Sequence, residues 1–145
     1  MGSTVPRIPS HKPNVALHAF GLKGAFPESS VHLGGGQLTW IGDVRPTKLS
    51  AKYTVRIKYS GQGRPAITVL SPRLSTPEGK SLPHVYPGNE LCLYFPGQWK
   101  ESMPMATTIV PWTSEWLLHY EIWRATGTWT GGGHEPGDGR KEDSD

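Results

Sequence analysis

The clearest pattern in the chain is a strict alternation of apolar and polar residues from Lys52 to Tyr59. Successive side chains of a strand point to opposite faces, so this alternation predicts an antiparallel strand with one buried and one exposed face. The apolar positions, which we expect to face the core, are Tyr53, Val55, Ile57 and Tyr59.

Two further strands are predicted around this one. Residues 60–63 (SGQG) have the composition of a turn, and Ala66 to Leu70 then returns as a strand. Upstream, Gln37 to Asp43 is a strand candidate that follows three glycines at 34–36. Those glycines lack the Lys-Ser/Thr pair of a phosphate loop and therefore indicate a flexible turn. The inward positions of the two strands are Leu38, Trp40, Gly42, Ile67 and Val69.

Thr113 to Thr126 is predicted to form the main helix. Thr113 or Ser114 can cap its first turn, and Gly127 can terminate it. Its apolar residues fall on two opposite faces, and we interpret both as core-facing. These faces comprise Trp116, Tyr120 and Trp123 on one side, and Leu118, Ile122 and Ala125 on the other.

A short helix is predicted near the start, from Val15 to about Leu22, with Asn14 as its cap. Strands and main helix are segregated along the chain, which indicates an α+β fold and not an α/β fold. We expect a small antiparallel meander of three to four strands, a cysteine loop and one main C-terminal helix. The predicted division is a disordered lead-in at residues 1–13, a single domain at 14–130 and a flexible acidic tail at 131–145.

The composition limits the class of protein. With 18 glycines and 14 prolines, the chain favours many turns and short strands over a helical bundle. A single cysteine cannot form an internal disulfide, which favours a reducing compartment such as the cytoplasm. No apolar run approaches the roughly 20 residues that span a bilayer, so we expect a soluble protein with no membrane partner.

The charge is unevenly distributed along the chain. Residues 134–145 carry five acidic and two basic side chains, which leaves residues 1–133 with most of the positive charge. Lys and Arg occur singly, without a run or a helical stripe, so nucleic acid is not the expected partner. The six histidines and one cysteine show no short-spaced ligand pair, and no metal site is predicted.

Cys92 is the only thiol and lies in residues 82–95, LPHVYPGNELCLYF. A loop rich in Pro and Gly precedes it and an apolar run surrounds it, so packing on one side can present the sulfur on the other. A lone cysteine between Leu91 and Leu93 is most often a small buried hydrophobe. A thiolate is also a usable nucleophile at neutral pH without a complete triad, so both interpretations stay open.

The side chains around Cys92 supply further candidates for a site. His84, Tyr86 and Asn89 are hydrogen-bonding groups in the preceding loop that can reach a thioester oxygen, and Trp99 can form a wall. Each also has a structural interpretation. A turn histidine often bonds the backbone, whereas Tyr and Asn are common in turns and Trp is common in cores.

The loop resembles the active site of ubiquitin-conjugating enzymes, in which a Pro-polar pair precedes the catalytic Cys by about eight residues and a Trp follows. In that family the polar residue is an Asn that stabilises an oxyanion. Here Leu82-Pro83-His84 occupies the place, so His84 stands where the Asn would be. The match is loose and spans roughly Tyr53 to Trp123.

A more specific resemblance is to the stand-alone bacterial members of this superfamily that are encoded in type II CBASS antiphage operons. It rests on Arg45-Pro46-Thr47, the LPHVYPGNELCLY loop, TIVPWTSEWLLHYEIW from Thr108 and TGTWTGGGH from Thr126. The resemblance implies a ubiquitin-conjugating-enzyme-like fold that spans about Leu38 to His134.

This resemblance implies a cysteine acyltransferase of antiviral defence that needs no cofactor. Cys92 would accept the C-terminus of a partner as a thioester, and His84 would stabilise the oxyanion or act as a base. The implied partner is a cGAS-like cyclic-oligonucleotide synthase, which the conjugation would prime or regulate. The alternative is a non-catalytic module that grips the synthase tail, through a reversible disulfide in one version. A homodimer is also left open.

Overall fold

A computed structural model describes residues 13–131 of the 145-residue chain. The predicted lead-in and tail therefore lie outside the described residues, except for Pro13 and Gly131. A short 3-10 helix, Met105–Thr107, precedes the last helix. The other elements, in chain order, are α1 (Pro13–Ala25), β1 (Ser30–Gly34), β2 (Gln37–Val44), β3 (Tyr53–Tyr59), β4 (Ala66–Ser71), β5 (Val85–Tyr86), β6 (Glu90–Leu91) and α2 (Ile109–Thr126).

The predicted α+β fold is confirmed. Strands β1 to β4 form an antiparallel meander in the order β1-β2-β3-β4. In β3 every apolar position of the alternating pattern is buried, as the alternation predicts. The strand β2 also alternates, and its Trp40 pairs with Ile57 of β3. One face of the meander therefore packs against the hydrophobic core.

The edge strand β1 was not predicted from the sequence. Its residues are mostly exposed and show no alternation, so nothing in the pattern distinguishes it from a loop. The glycines that follow do form a turn, as predicted. Gly35 and Gly36 are the two loop residues between paired Gly34 and Gln37, and both have positive φ angles of 62° and 76°. Positive φ at both positions is the geometry of a tight hairpin turn.

The N-terminal helix is longer than predicted and is not capped by Asn14. It begins at Pro13, because proline is well tolerated in a first turn where its missing N–H needs no partner. The Asn14 amide instead donates to the Tyr59 hydroxyl at 3.2 Å and to the Glu101 carboxylate at 3.0 Å. Helix α1 lies against β1 and β2 and passes Gly21 before it ends.

The main helix begins at Ile109, one turn before the predicted start at Thr113. Thr113 is fully buried, and its hydroxyl donates to the Ile109 carbonyl at 2.7 Å, so it caps nothing. Gly127 ends the helix with a φ of 84°, as predicted. The face with Trp116 and Tyr120 is buried, whereas the opposite face is only partly covered.

Further polar contacts join the helices to the rest of the fold. The Tyr53 hydroxyl of β3 donates to Glu121 of α2 at 2.7 Å. The buried His18 ring of α1 bridges the Glu101 carbonyl, 2.9 Å from Nε2, and the Met105 N–H, 3.3 Å from Nδ1. Because Nδ1 accepts, the proton of the neutral ring sits on Nε2. Burial lowers the pKa of His18, and this effect outweighs the opposite effect of its contacts with Glu101.

Within residues 13–131, no helix is long and apolar enough to cross a membrane.

Gly42 provides a test of the packing on the sheet. A Cβ at this position would overlap the ring carbons Cζ2 and Cη2 of buried Trp40. We expect Gly42→Ala to lower the free energy of unfolding by about 1–3 kcal/mol, because the ring must leave its rotamer. The matched control is Gly21→Ala on α1, where nothing lies within 4 Å. Urea denaturation should show the control equal to or up to about 1 kcal/mol more stable than the parent. Equal midpoints for Gly42→Ala and the parent would contradict this packing.

Candidate active site

The cysteine loop folds into a short hairpin that ends at Cys92. Strands β5 and β6 pair Val85 with Leu91 and Tyr86 with Glu90. The turn between them is closed by the Asn89 N–H, which donates to the Tyr86 carbonyl at 3.0 Å. Asn89 has a φ of 60°, which Asn tolerates better than most residues. Since β6 lies beside β4, the sheet fixes the position of the hairpin.

The backbone at Cys92 is tied to helix α2 through one carbonyl group. The Cys92 N–H donates to the His84 carbonyl at 3.0 Å, and the Trp116 indole N–H donates to the same oxygen at 3.1 Å. His84 adopts a φ of 53°, which is uncommon for a residue other than glycine. Strain of this kind costs about 1–3 kcal/mol and clusters at functional sites.

The Cys92 side chain is 4% exposed but lines a cavity of about 400 Å³. The thiol donates a long hydrogen bond of 3.7 Å to the Tyr94 carbonyl. Two exposed residues at the rim, Gln98 and Glu115, bring the cavity to the surface. The inner lining includes Cys92, His84, Tyr94, Trp112, Trp116 and Trp129.

His84 shares this cavity with Cys92 and packs into an aromatic cluster. Its ring lies 4.8 Å from the Trp129 ring, centroid to centroid, at an angle of 31°. Trp129 in turn lies 5.3 Å from Trp116. The residue is 8% exposed, so packing and not solvent sets the orientation of its ring.

Tyr86 contacts the thiol although it is not among the residues that line the cavity. Burial, and then a hydrogen bond with Cys92, raise the pKa of its hydroxyl, so the phenol stays protonated and can donate to a thiolate. The Arg64 guanidinium lies 3.6 Å from the centre of the Tyr86 ring and pairs with Glu90 at 2.7 Å. Burial likewise raises the pKa of Tyr94 to about 12.

The structure places the other two candidates away from the cavity. Asn89 is exposed at the hairpin turn. Trp99 is buried in the core, and its indole N–H donates to the Thr108 hydroxyl at 3.0 Å. The cavity lining includes neither residue. Of the predicted site residues, His84 and Cys92 meet in the cavity and Tyr86 reaches the sulfur.

Several lining residues were not predicted from the sequence. Trp112, Glu115, Trp116 and His119 stand at positions i, i+3, i+4 and i+7 of α2, so the spacing alone places them on one face. From the sequence, Trp116 was instead grouped with Tyr120 and Trp123, and Trp112 lay before the predicted helix start at Thr113. Residues 13–131 contain no group of three or more His, Cys, Asp or Glu side chains that could hold a metal ion.

Removal of the Tyr86 hydroxyl tests its contact with the sulfur. We expect Tyr86→Phe to alkylate with iodoacetamide about 3- to 10-fold more slowly at pH 7, because the thiolate loses a hydrogen-bond donor. The matched control is Tyr53→Phe, whose hydroxyl bonds Glu121 and not the thiol. Cys92 is the only cysteine, so total alkylation by mass spectrometry reports this site alone. Equal slowing in both variants would contradict a specific role for Tyr86.

Comparison with known proteins places this geometry in a family. No curated protein matches the chain. The family model described as "Type II CBASS E2 protein" matches residues 18–136. The match includes the meander, the cysteine hairpin and the whole of α2, and so contains the cavity-lining residues. The chain therefore belongs to the type II CBASS E2 family.

Proposed function

We propose that Cys92 is the nucleophile of an antiphage conjugating protein that accepts the C-terminal acyl group of a partner as a thioester. The observation that carries the proposal is the shared cavity of Cys92 and His84, in a chain of the type II CBASS E2 family. The partner is the cGAS-like cyclic-oligonucleotide synthase of the CBASS system, and attachment of its C-terminus primes or regulates it.

The chemistry is an acyl transfer to sulfur. The Cys92 thiolate attacks the acyl carbon, a C–S bond forms, and the bond to the leaving group breaks as that group takes up a proton. The acyl group must arrive activated, as an adenylate or a thioester made by another protein, because hydroxide is a poor leaving group. Negative charge develops on the acyl oxygen, where each pre-positioned donor contributes about 3 kcal/mol. We assign this donor role to His84, whose backbone and ring are both fixed.

The alternative is a binding module without catalysis. The low exposure of Cys92 and its bond to the Tyr94 carbonyl favour it, because both are typical of a packed thiol. In this version the synthase tail binds in the cavity without forming a thioester. Any disulfide between Cys92 and the partner is reversible.

The nature of the linkage separates the two functions. We expect the synthase of the same operon, supplied with its C-terminus pre-activated as a thioester, to yield an adduct whose mass is the sum of both unmodified chains less one water. Neutral hydroxylamine should cleave it, and Cys92→Ser should abolish the hydroxylamine-labile adduct because a serine hydroxyl is not ionised at neutral pH. Non-reducing gels and intact mass spectrometry report both results. An adduct cleaved by dithiothreitol but stable to hydroxylamine would indicate the disulfide, and an unchanged adduct in Cys92→Ser would refute the thioester.

The role of His84 is tested by two substitutions that both tolerate its left-handed φ. His84→Asn keeps a side-chain N–H donor, whereas His84→Gly removes it without backbone strain. We expect thioester formation to slow by less than about 10-fold in the Asn variant and by about 100-fold or more in the Gly variant. Single-turnover rates with a pre-activated synthase measure this. Equal, large losses in both variants would instead indicate that His84 acts as a base.

A further inference from the structure

One buried hydrogen-bond donor in the cavity has no acceptor. The indole Nε1 of Trp129 is shielded from solvent and has no hydrogen-bond partner, the single such side-chain atom found within residues 13–131. Three other tryptophans satisfy the same group. Trp40 donates to the Ser29 hydroxyl at 2.8 Å, Trp99 to Thr108 at 3.0 Å and Trp116 to the His84 carbonyl at 3.1 Å.

The Trp129 ring is held in place by its neighbours. Its centroid lies 4.8 Å from that of His84, 5.3 Å from that of Trp116 and 6.0 Å from that of His119. The segment that carries it is fastened by the Thr130 hydroxyl, 2.8 Å from His119 Nδ1. The ring therefore cannot turn its N–H to water without loss of this packing.

Gly131, which has no side chain, lies beside the indole nitrogen. A Cβ on Gly131 would lie 3.0 Å from Trp129 Nε1 and 2.7 Å from a carbon of the His119 ring. Both Trp129 and Gly131 line the cavity that contains Cys92. A buried unsatisfied donor costs about as much as a lost hydrogen bond, so in a native fold it calls for an explanation.

We propose that the Trp129 indole N–H binds a backbone carbonyl oxygen of the peptide segment whose C-terminus reaches Cys92. An indole N–H is a donor only, so its partner is an acceptor. Within the described residues, the cavity lining contains no Lys or Arg and includes the carboxylate of Glu115. An anionic acceptor would be repelled there, whereas a neutral amide carbonyl is not. Trp129 is thus a positioning residue for the incoming chain.

This inference rests on the proposed function for the identity of the peptide, but its test does not require thioester formation. The parent is the full chain with Cys92→Ser, and the probe is a synthetic peptide of the C-terminal residues of the synthase from the same operon, with its C-terminal carboxyl group capped as an amide. Binding is measured by calorimetry and thermal stability by the unfolding midpoint. If this parent binds the peptide while the unsubstituted chain forms no thioester with a pre-activated synthase, the catalytic proposal alone is refuted.

Trp129→Phe in this parent removes the N–H and keeps an aromatic ring. We expect the Kd for the peptide to rise about 3- to 10-fold, the effect of one lost hydrogen bond. The unfolding midpoint should fall less than in the matched control Trp40→Phe, because no internal hydrogen bond is lost. Trp40→Phe deprives Ser29 of its donor on the sheet, so it should lower the midpoint and leave the Kd unchanged.

Gly131→Ala is a second variant that keeps the tryptophan. Its methyl group would lie 3.0 Å from Nε1 and hinder the approach of an acceptor, and we expect a similar rise in Kd. The inference is overturned if the parent does not bind the peptide, if Trp129→Phe and Gly131→Ala both bind as tightly as the parent, or if Trp40→Phe weakens binding as much as Trp129→Phe does. It is supported if both cavity variants bind more weakly and the Trp40 control does not.

Discussion

The carbonyl oxygen of His84 is the contact on which the arrangement of the site depends. It accepts one hydrogen bond from the Cys92 backbone and one from the Trp116 indole. The first closes the hairpin and sets the position of the sulfur, and the second attaches that hairpin to the main helix. The left-handed φ of His84 lets its carbonyl serve both donors while its ring faces the cavity. One strained residue thus couples the thiol, the helix and the aromatic walls.

The sheet could be predicted from the sequence because β2 and β3 each have one buried face and one face toward solvent. In β3 a polar residue separates Tyr53 from Val55 and Val55 from Ile57. The apolar residues therefore repeat every two positions, which is the period of a strand. The cysteine loop could also be predicted, since Pro87 and Gly88 specify a turn by chain stiffness and left-handed geometry. His84 and Cys92 were expected to act together, and they share a cavity. The strand alternation and the turn residues are signals between residues close together in the chain, so they can be recognised from the sequence alone.

The parts that were missed depend on contacts distant in sequence. Strand β1 forms because β2 offers a hydrogen-bonding edge, and its own residues carry no periodic signal. The start of α2 is an exception, because its signal is local: Thr113 was taken as the cap, whereas Pro111 is tolerated in a first turn that begins at Ile109. Trp99 was predicted to form a wall of the site and to serve the fold as well, and Tyr59 and His18 pack against it in the core. Trp129 reaches the cavity only because the chain after α2 folds back over His119.

His18 joins α1 to Glu101 and Met105, in the chain after the cysteine hairpin, and its tautomer makes this contact sensitive to acid. Its Nδ1 lone pair is the acceptor for the Met105 amide, so a second proton on the ring would set two donors against each other. Burial holds the pKa of His18 below its ordinary value of 6.5, whereas the unfolded chain takes up the proton near that pH. This contribution to stability is therefore complete above pH 6.5 and declines with acidification below it. Acidification would loosen the anchorage of α1 to the chain that leaves the cysteine loop.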